Sequence, residues 1–568
     1  MSFRADRIYL EFLRLTRRLS NQQIMMLLAV VVGVLAGLGA YLFEMLLHGI
    51  KSGLIRWFPV DSAHILFLIY PAVGIILATL FVKYIVRDNI SEGVTRVLYA
   101  MSRRNSRIAR HNCTGAAIGS NIGRLARLNY KHTTLLLCCG AGAALAAIFK
   151  APITGVVFVL EILMLDITAG SVIPLLIASI TATTMAFMLR GFDPILAVTL
   201  APADAFELWQ IPLFILLGVL CGLMAWYFTS MNSRVGGFFK SIDKQYKKWL
   251  WGGAILGILI FVFPPLYGEG YEGFTSLMHG NAQELFNNSL FYRFRDIDWV
   301  IILFVIATMF FKVIAMSTTN AAGGVGGTFA PSLFVGAFTG ASLALVCNTL
   351  FGWEVSIVSF TLVGMAGVMS GVMNAPLTSI FLIAELSNGY GLFIPLMITA
   401  CISFAVDYYL DPDSIYTKQL RQKGELLTHD KDQSVFVFLK LEELMETDFL
   451  RIKENMTLGD IVHIISTARR NIFPVIDNFG RLIGVVQLDD LREDMFKHEK
   501  YGHPISDYMI PPPDKIIEHE AILSVMEKFE DKHAWMLPVV DKQGRYLGFI
   551  SKSRILNAYR EQLVKIQQ

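Results

Sequence analysis

Long apolar runs separated by short polar stretches fill most of the chain. They cover Met25–Leu47 and then residues 64–86, 133–163, 171–189, 211–230, 249–266, 299–316, 329–350, 356–387 and 391–408. A simple membrane-crossing helix needs about 20 apolar residues. Several of these runs are longer or are interrupted by glycine and proline, so the pattern predicts broken, tilted helices. Backbone that leaves the helix at membrane depth is tolerated only where it lines protein or a water-filled cavity.

The runs repeat. GAGAALAAIFKAPITGVVFVLEIL (140–163) aligns without gaps on GMAGVMSGVMNAPLTSIFLIAELS (364–387) at an offset of 224, which places Ala151-Pro152 on Ala375-Pro376 and Glu161 on Glu385. A proline recurs in I-P-L at Pro174 and Pro395. At an offset of 221, the G-A-x-x-G of Gly115–Gly119 falls on that of Gly336–Gly340. Two related halves in one membrane body point to a transporter-type duplication with a site where the halves meet.

After residue 435 the pattern changes to short alternating strands. FPVIDNFGRLIGVV (473–486) and LPVVDKQGRYLGFI (537–550) repeat at an offset of 64, each a strand, an Asp/Gly turn and a second strand. With the helical segment that follows each copy, this is an α+β module used twice. Pro511-Pro512-Pro513 marks the entry to the second copy, and the polar residues 419–435 read as a linker.

Composition follows this division. Of 95 charged residues, 39 lie in residues 436–568 and 56 in the first 435, about 29% against about 13%. A single soluble domain is excluded. The net charge of +3 provides no nucleic-acid surface, and basic residues concentrate in the first segment and in residues 103–131. Arg4, Arg7, Arg14, Arg17 and Arg18 precede the first apolar run, which places the N-terminus in the cytoplasm. Cys113, Cys138, Cys139, Cys221, Cys347 and Cys401 form no C-x-x-C and read as buried small apolar residues. The histidines show no metal spacing, so no metal is expected.

The chemistry concentrates at Gly323-Gly324-Val325-Gly326-Gly327-Thr328-Phe329-Ala330-Pro331. The glycines stop one helix and SLFVGAFTG resumes another, whose first amides are unpaired inside the membrane. Those amides, at the positive end of the helix dipole, suit a small anion without lysine or arginine. Close helix packing also uses glycine; the duplication favours the anion site.

GGVGGTFAPSLFVGA, the A-P-[IL]-T…E halves and the paired C-terminal modules together resemble the CLC family of chloride channels and chloride/proton exchangers with CBS domains. The resemblance implies that Thr328 and Phe329, within the Gly327–Pro331 segment, offer backbone N–H groups to chloride. It also implies that the hydroxyl of Tyr416, in DSIYTKQL, coordinates the anion; the other reading of Tyr416 is an interfacial tyrosine. A homodimer in a lipid bilayer is implied as well.

Two motifs depart from the family. Its G-x-G-[IV]-P helix start corresponds to Ser91-Glu92-Gly93-Val94-Thr95, where Gly93 and Val94 fit and Glu92 stands where a neutral donor is common. Glu92 is either part of an altered anion site or a loop acid. The G-x-E-G-P-like gate segment is absent: the chain passes from RRNSRIARHNC directly to TGAAIGSNIGR, with no glutamate at the gate. Either the protein gates differently or the segment has been lost. Family exchangers carry an inward proton acid one residue after the Glu161 position, and here that residue is Ile162. Glu161 and Glu385 themselves, equivalent in the two halves, are expected to cap broken backbone near the A-P-[IL]-T turns.

The family-type nucleotide pattern in CBS domains, G-h-h-[ST]-x-x-D, is half kept in each copy. Asp490 follows Gln487 in the first, and Ser551 precedes Arg554 in the second. An adenine nucleotide at the pair and a purely structural tail are both open readings.

These observations predict an all-α polytopic membrane domain, an inverted repeat of broken tilted helices, followed by an α+β cytoplasmic CBS pair. The expected boundaries are 1–23 (cytoplasmic segment), 24–418 (membrane domain, halves about 24–190 and 211–410), 419–435 (linker), 436–497 and 498–568 (CBS modules). The expected function is passive chloride conduction of the voltage-gated CLC type in the plasma (inner) membrane, both termini cytoplasmic. The alternatives are chloride/proton exchange through unconventional acids such as Glu92, or a non-conducting CBS-bearing scaffold. No nucleophile/base pair or phosphate-cradling loop suggests an enzyme.

Overall fold

Each half of the repeat is built from the same stop-and-restart of a helix, and the rest of the membrane domain packs around it. The computed structural model describes residues 19–57, 66–87, 93–102, 114–165, 168–192, 206–387, 389–422, 439, 441–466, 468 and 470–567. Glu92, Cys113, the polar run 103–113 and linker residues 423–435 lie outside the described residues. The chain divides into two units, Met1–Lys423 and Gly424–Gln568.

The first half comprises α1 (Asn21–Trp57), α2 (Leu66–Phe81), α3 (Gly93–Ser102), α4 (Thr114–Leu125), α5 (Tyr130–Phe149), α6 (Pro152–Glu161) and α7 (Ala169–Arg190). The second comprises α8 (Ile211–Lys240), α9 (Gln245–Val262), α10 (Tyr271–Met278), α11 (Asp298–Ala322), α12 (Phe329–Phe351), α13 (Ile357–Met373), α14 (Pro376–Leu386) and α15 (Phe393–Leu410). Helix α16 (Ile415–Gln422) follows and runs past the expected boundary at 418. Among the described residues, eight helices are long and apolar enough to cross a membrane by length and composition.

The restart has a local cause. Helix α5 ends at Lys150 and α13 at Asn374, both left-handed (φ 53° and 51°), and Ala151-Pro152 and Ala375-Pro376 follow. Proline holds its predecessor out of the helical region, yet its own fixed φ suits a first helical turn. Helices α6 and α14 therefore begin afresh inside the domain. The long apolar runs 133–163 and 356–387 are each two helices.

Glycines set the packing of each half. A Cβ on Gly340 would lie 1.8 Å from Phe360 O, and one on Gly119 would lie 1.9 Å from Leu136 O. The pairs Gly336/Gly364 and Gly115/Gly140 repeat this closeness, a Cβ on either residue lying 2.4 Å from the other's carbonyl in the first pair and 2.0–2.3 Å in the second. Thus α4 lies on α5, and α12 on α13, backbone against backbone. The G-A-x-x-G motif is this contact.

One helix breaks the symmetry. Helix α11 packs on α8, α9 and α12, and among the described residues the first half has no equivalent helix. Between Ser102 and Thr114 only 11 residues are present. Even fully helical, they would reach about 17 Å, roughly half a bilayer core.

Cys138, Cys139, Cys221 and Cys347 are buried as expected, but Cys401 is exposed. It shares one face of α15 with Ile394 and Met397, also exposed, and such a face meets lipid, where a small apolar thiol is equally at home.

The tail carries two three-stranded sheets, β1-β2-β3 and β4-β5-β6. The strands are β1 (Ile452–Lys453), β2 (Ile472–Ile476), β3 (Leu482–Gln487), β4 (Ile516–Ile517), β5 (Met536–Val540) and β6 (Tyr546–Ser551). Asp477 and Asp541 close the predicted turns by accepting amide bonds from residues two and four positions on, at 2.7–2.9 Å. The modules exchange segments. Glu446 pairs with Phe549, and Ile510 pairs with Val485. Leu441 and Leu444 complete the core of the second module, and Ile505 that of the first. Neither core closes without chain that precedes the other module.

Two measurements check this packing. Gly340→Val has no room and should destabilise the detergent-solubilised protein by roughly 3 kcal/mol or more. Gly237→Ala, with nothing within 4 Å, should change stability by under about 1 kcal/mol. In the tail, Lys500, then Lys497 and Tyr508, hold the Asp494 carboxyl down at about 2. A depressed acid contributes stability above its unfolded value of about 3.9 and loses it as pH falls toward the folded one. Asp494→Asn should therefore be less stable than wild type at pH 7 in denaturant titrations, with the gap closing between about pH 4 and pH 2.

Candidate anion site

The α11–α12 connection is held open by its glycines. Gly323, at φ 111°, ends α11, and Gly324 N–H bonds back to Thr319 O at 2.9 Å. The Thr79 hydroxyl donates to Gly323 O at 3.1 Å and fixes the turn to α2. Gly326 and Gly327 are exposed, while Thr328 is buried.

Helix α12 then starts without a side-chain cap at Thr328. Its ladder opens with Ser332 N–H to Thr328 O, at 3.1 Å. The amides of Phe329 and Ala330 have no intrahelical acceptor, and Pro331 has no N–H. Partly exposed donors thus gather at the positive end of a 23-residue helix.

Three further elements surround this start. Tyr416, nearly buried on α16, accepts a hydrogen bond from the Thr328 hydroxyl at 3.3 Å, and its hydroxyl faces Met373 Sδ at 3.9 Å. The Phe149 ring at the end of α5 lies 5.1 Å from that of Phe329. Helix α3, beginning at Gly93 and Val94, packs on α16. The structure therefore brings Gly93, Val94, Thr328, Phe329 and Tyr416 onto adjoining elements, although they span more than 300 residues of sequence. Ile162 caps α6 as a buried apolar residue.

Glu161 and Glu385 cap broken backbone, and each does so for the other half. The Glu385 carboxylate accepts from Ile153 N–H (2.9 Å), Thr154 N–H (2.8 Å) and the Thr154 hydroxyl (2.6 Å) at the start of α6. Glu161 accepts from Leu377 N–H (3.0 Å), Thr378 N–H (2.7 Å) and the Thr378 hydroxyl (2.7 Å) at the start of α14. Helices α6 and α14 lie side by side, antiparallel, each ending in the acid that caps the other.

Lys312 and Asp407 are buried inside membrane-crossing helices, and neither stands out in the sequence. The only signal for either is a lone charge in an apolar run. The Lys312 ammonium donates to Leu266 O (3.2 Å) and Gly268 O (3.0 Å) and lies 4.6 Å from the Phe334 ring centroid.

In the tail, Asp490 is exposed, and the Ser551 hydroxyl donates to Glu446 Oε1 at 2.8 Å. Glu446 also pairs with Arg470 at 2.7 Å. A nucleotide at the second copy would have to displace this carboxylate from the serine, and Arg554 stands where the ribose-binding acid is wanted. At the second copy the residues present do not fit a family-type nucleotide.

Residues 113–408 match the family model described as voltage gated chloride channel, and residues 441–497 and 505–561 match the CBS domain. A ClcB-like chloride channel protein of Ralstonia nicotianae is 28% identical over 316 residues, covering 55% of this chain and 69% of that protein. An H(+)/Cl(-) exchange transporter ClcA of Vibrio cholerae is 27% identical over 318 residues, covering 54% and 64%. The chain thus spans just under two thirds of that exchanger's length. Among solved structures, a slow cyanobacterial Cl-/H+ antiporter superposes with TM-score 0.58 at 22% identity, covering 71% of this chain and 98% of that one. A eukaryotic CLC transporter does so at 0.56 and 16%, covering 94% and 99%. At these identities the superpositions establish the fold.

The crossed caps can be separated by mutation. Glu385→Ala and Glu161→Ala should each cost roughly 2–4 kcal/mol of stability, because each strands two amides and a hydroxyl. A double-mutant cycle should couple Glu385 to Thr154 by about 1 kcal/mol or more and leave Glu161 and Thr154 additive within about 0.5 kcal/mol.

Proposed function

The chain belongs to the voltage gated chloride channel family, and on that premise we propose that it conducts chloride-class anions passively through the passage at Thr328, Phe329 and Tyr416. It is an integral, multi-pass membrane protein. The observation that carries the proposal is the uncapped start of α12 at Thr328, whose hydroxyl reaches the buried Tyr416 hydroxyl. Both are neutral donors, strong enough to replace part of an anion's hydration and weak enough to release it. A helix dipole adds positive potential without a titratable charge.

Passive movement is favoured by what stands at the relay positions. Ile162 cannot carry a proton, and the 11 residues from Arg103 to Cys113 include no acid. Proton-coupled exchange is the second reading, favoured by the relatives named as exchangers. The proposed assembly is a homodimer, with N-terminus and tail cytoplasmic. The tail acts structurally, and no step of anion passage depends on a bound nucleotide.

Purified full-length protein in liposomes should release chloride with no fixed proton stoichiometry; a constant ratio establishes exchange instead. Absence of flux from folded protein establishes a non-conducting scaffold. Tyr416→Phe should weaken apparent chloride affinity about threefold to tenfold, the value of one neutral hydrogen bond. Thr328→Val, which keeps the backbone amide, should change affinity less.

A further inference from the structure

Asp407 is a buried acid that the passage described above does not use. The residue is 1% exposed, and its Oδ1 is buried without a hydrogen-bond partner. It sits in the last turn of α15, where three helices meet. A Cβ on Gly371 of α13 would lie 3.2 Å from Asp407 Cβ and 2.5 Å from Ala225 Cβ of α8. Two residues beyond Gly371 is Met373, which faces the Tyr416 hydroxyl.

The backbone after the acid leads to an ion pair beside the tyrosine. Asp411 N–H donates to Asp407 O at 2.7 Å, one turn along. The Asp411 carboxylate holds the Lys418 ammonium, and Lys418 follows Tyr416 by two residues on α16. Asp413, in the turn before α16, donates its backbone N–H to Asp411 Oδ1 at 3.4 Å; among the described residues of the helices packed on α15, the remaining ionisable groups are these. Helix α13 carries none. On α8, Cys221 lies at Gly367, one turn away along α13, and the Tyr227 hydroxyl donates to Phe310 O. Arg234 and Lys240 are more than two turns beyond Ala225. On α14, Glu385 caps α6.

A carboxyl oxygen buried without a donor is costly as an anion, whereas the neutral acid brings its own O–H. Deprotonation adds a second carboxylate to the electrostatic surroundings of Asp411 and Lys418, and a negative charge on the side of Gly371 and Met373 that faces away from the passage. We propose that Asp407 is a proton-binding site of the membrane domain, and that its ionisation slows anion passage by drawing Lys418, and with it Tyr416, out of the arrangement seen here. The proton adds to a carboxylate oxygen and returns to the same aqueous side, so none crosses with the anion. The inference rests on reading Thr328 and Tyr416 as the passage.

The test uses the full chain in phosphatidylcholine/phosphatidylglycerol vesicles, with chloride efflux followed between about pH 5 and pH 9. Wild type should slow on the order of tenfold as pH rises, with the slope of a single proton. Asp407→Asn should be flat at the acid-limit rate, and Asp407→Glu should restore a titration. Lys418→Met should blunt the pH response. Infrared difference spectra give a readout independent of transport: a protonated-carboxyl band that titrates in wild type and Lys418→Met and is missing in Asp407→Asn. If folded Asp407→Asn keeps the wild-type pH profile, or the band is unchanged in it, the proposal is overturned. If Asp407→Asn does not fold, a folded Asp407→Glu without a titration overturns it equally. Absence of wild-type flux with the band present defeats the passage reading alone.

Discussion

A helix that begins inside a membrane leaves amide groups that no water can satisfy, and this protein contains several such beginnings. At α6 and α14 the solution is a carboxylate from the end of the other helix. Each cap makes three charge-assisted bonds, and the two caps form one antiparallel unit that ties the halves together. The duplication is thereby more than a record of ancestry: neither half satisfies its own broken backbone. At α12 the corresponding amides receive no such cap, and that contrast sets the candidate passage apart from its surroundings.

Much of this was legible in the sequence because repetition exposes it. The A-P-[IL]-T turns, the paired glutamates and the G-A-x-x-G contacts recur at fixed offsets, and each has a local cause in proline stereochemistry or in the size of a missing Cβ. What could not be read was direction. Periodicity shows that Glu161 and Glu385 are equivalent, but only the antiparallel placement of α6 and α14 shows that the caps cross. Lys312 and Asp407 have no sequence signature, because a single charge in an apolar run makes no pattern; Lys312 is held by carbonyls distant in the chain, and Asp407 Oδ1 is buried without a hydrogen-bond partner. Cys401 was misjudged because, in a membrane, an apolar position faces lipid as readily as core.

The halves are unequal, and the inequality falls on one element. Helix α11 supplies the hinge into the glycine connection, carries Lys312 and packs three neighbours. Among the described residues the first half reaches α4 without an equivalent; α1 packs on α4, α5 and α7 of its own half, and α2 packs on α9 of the other. The anion passage proposed above consequently draws its amides from the complete half and its flanking ring, Phe149, from the shortened one.

The segment exchange in the tail changes the order in which its two cores can be filled. Residues emerging from the membrane reach Leu441 and Leu444 and enter the core of the second module before the first has begun. During synthesis the two cores become possible at different times: the first is complete once Ile505 is made, whereas Leu441 and Leu444, made before it, have nowhere to pack until β5 and β6 follow.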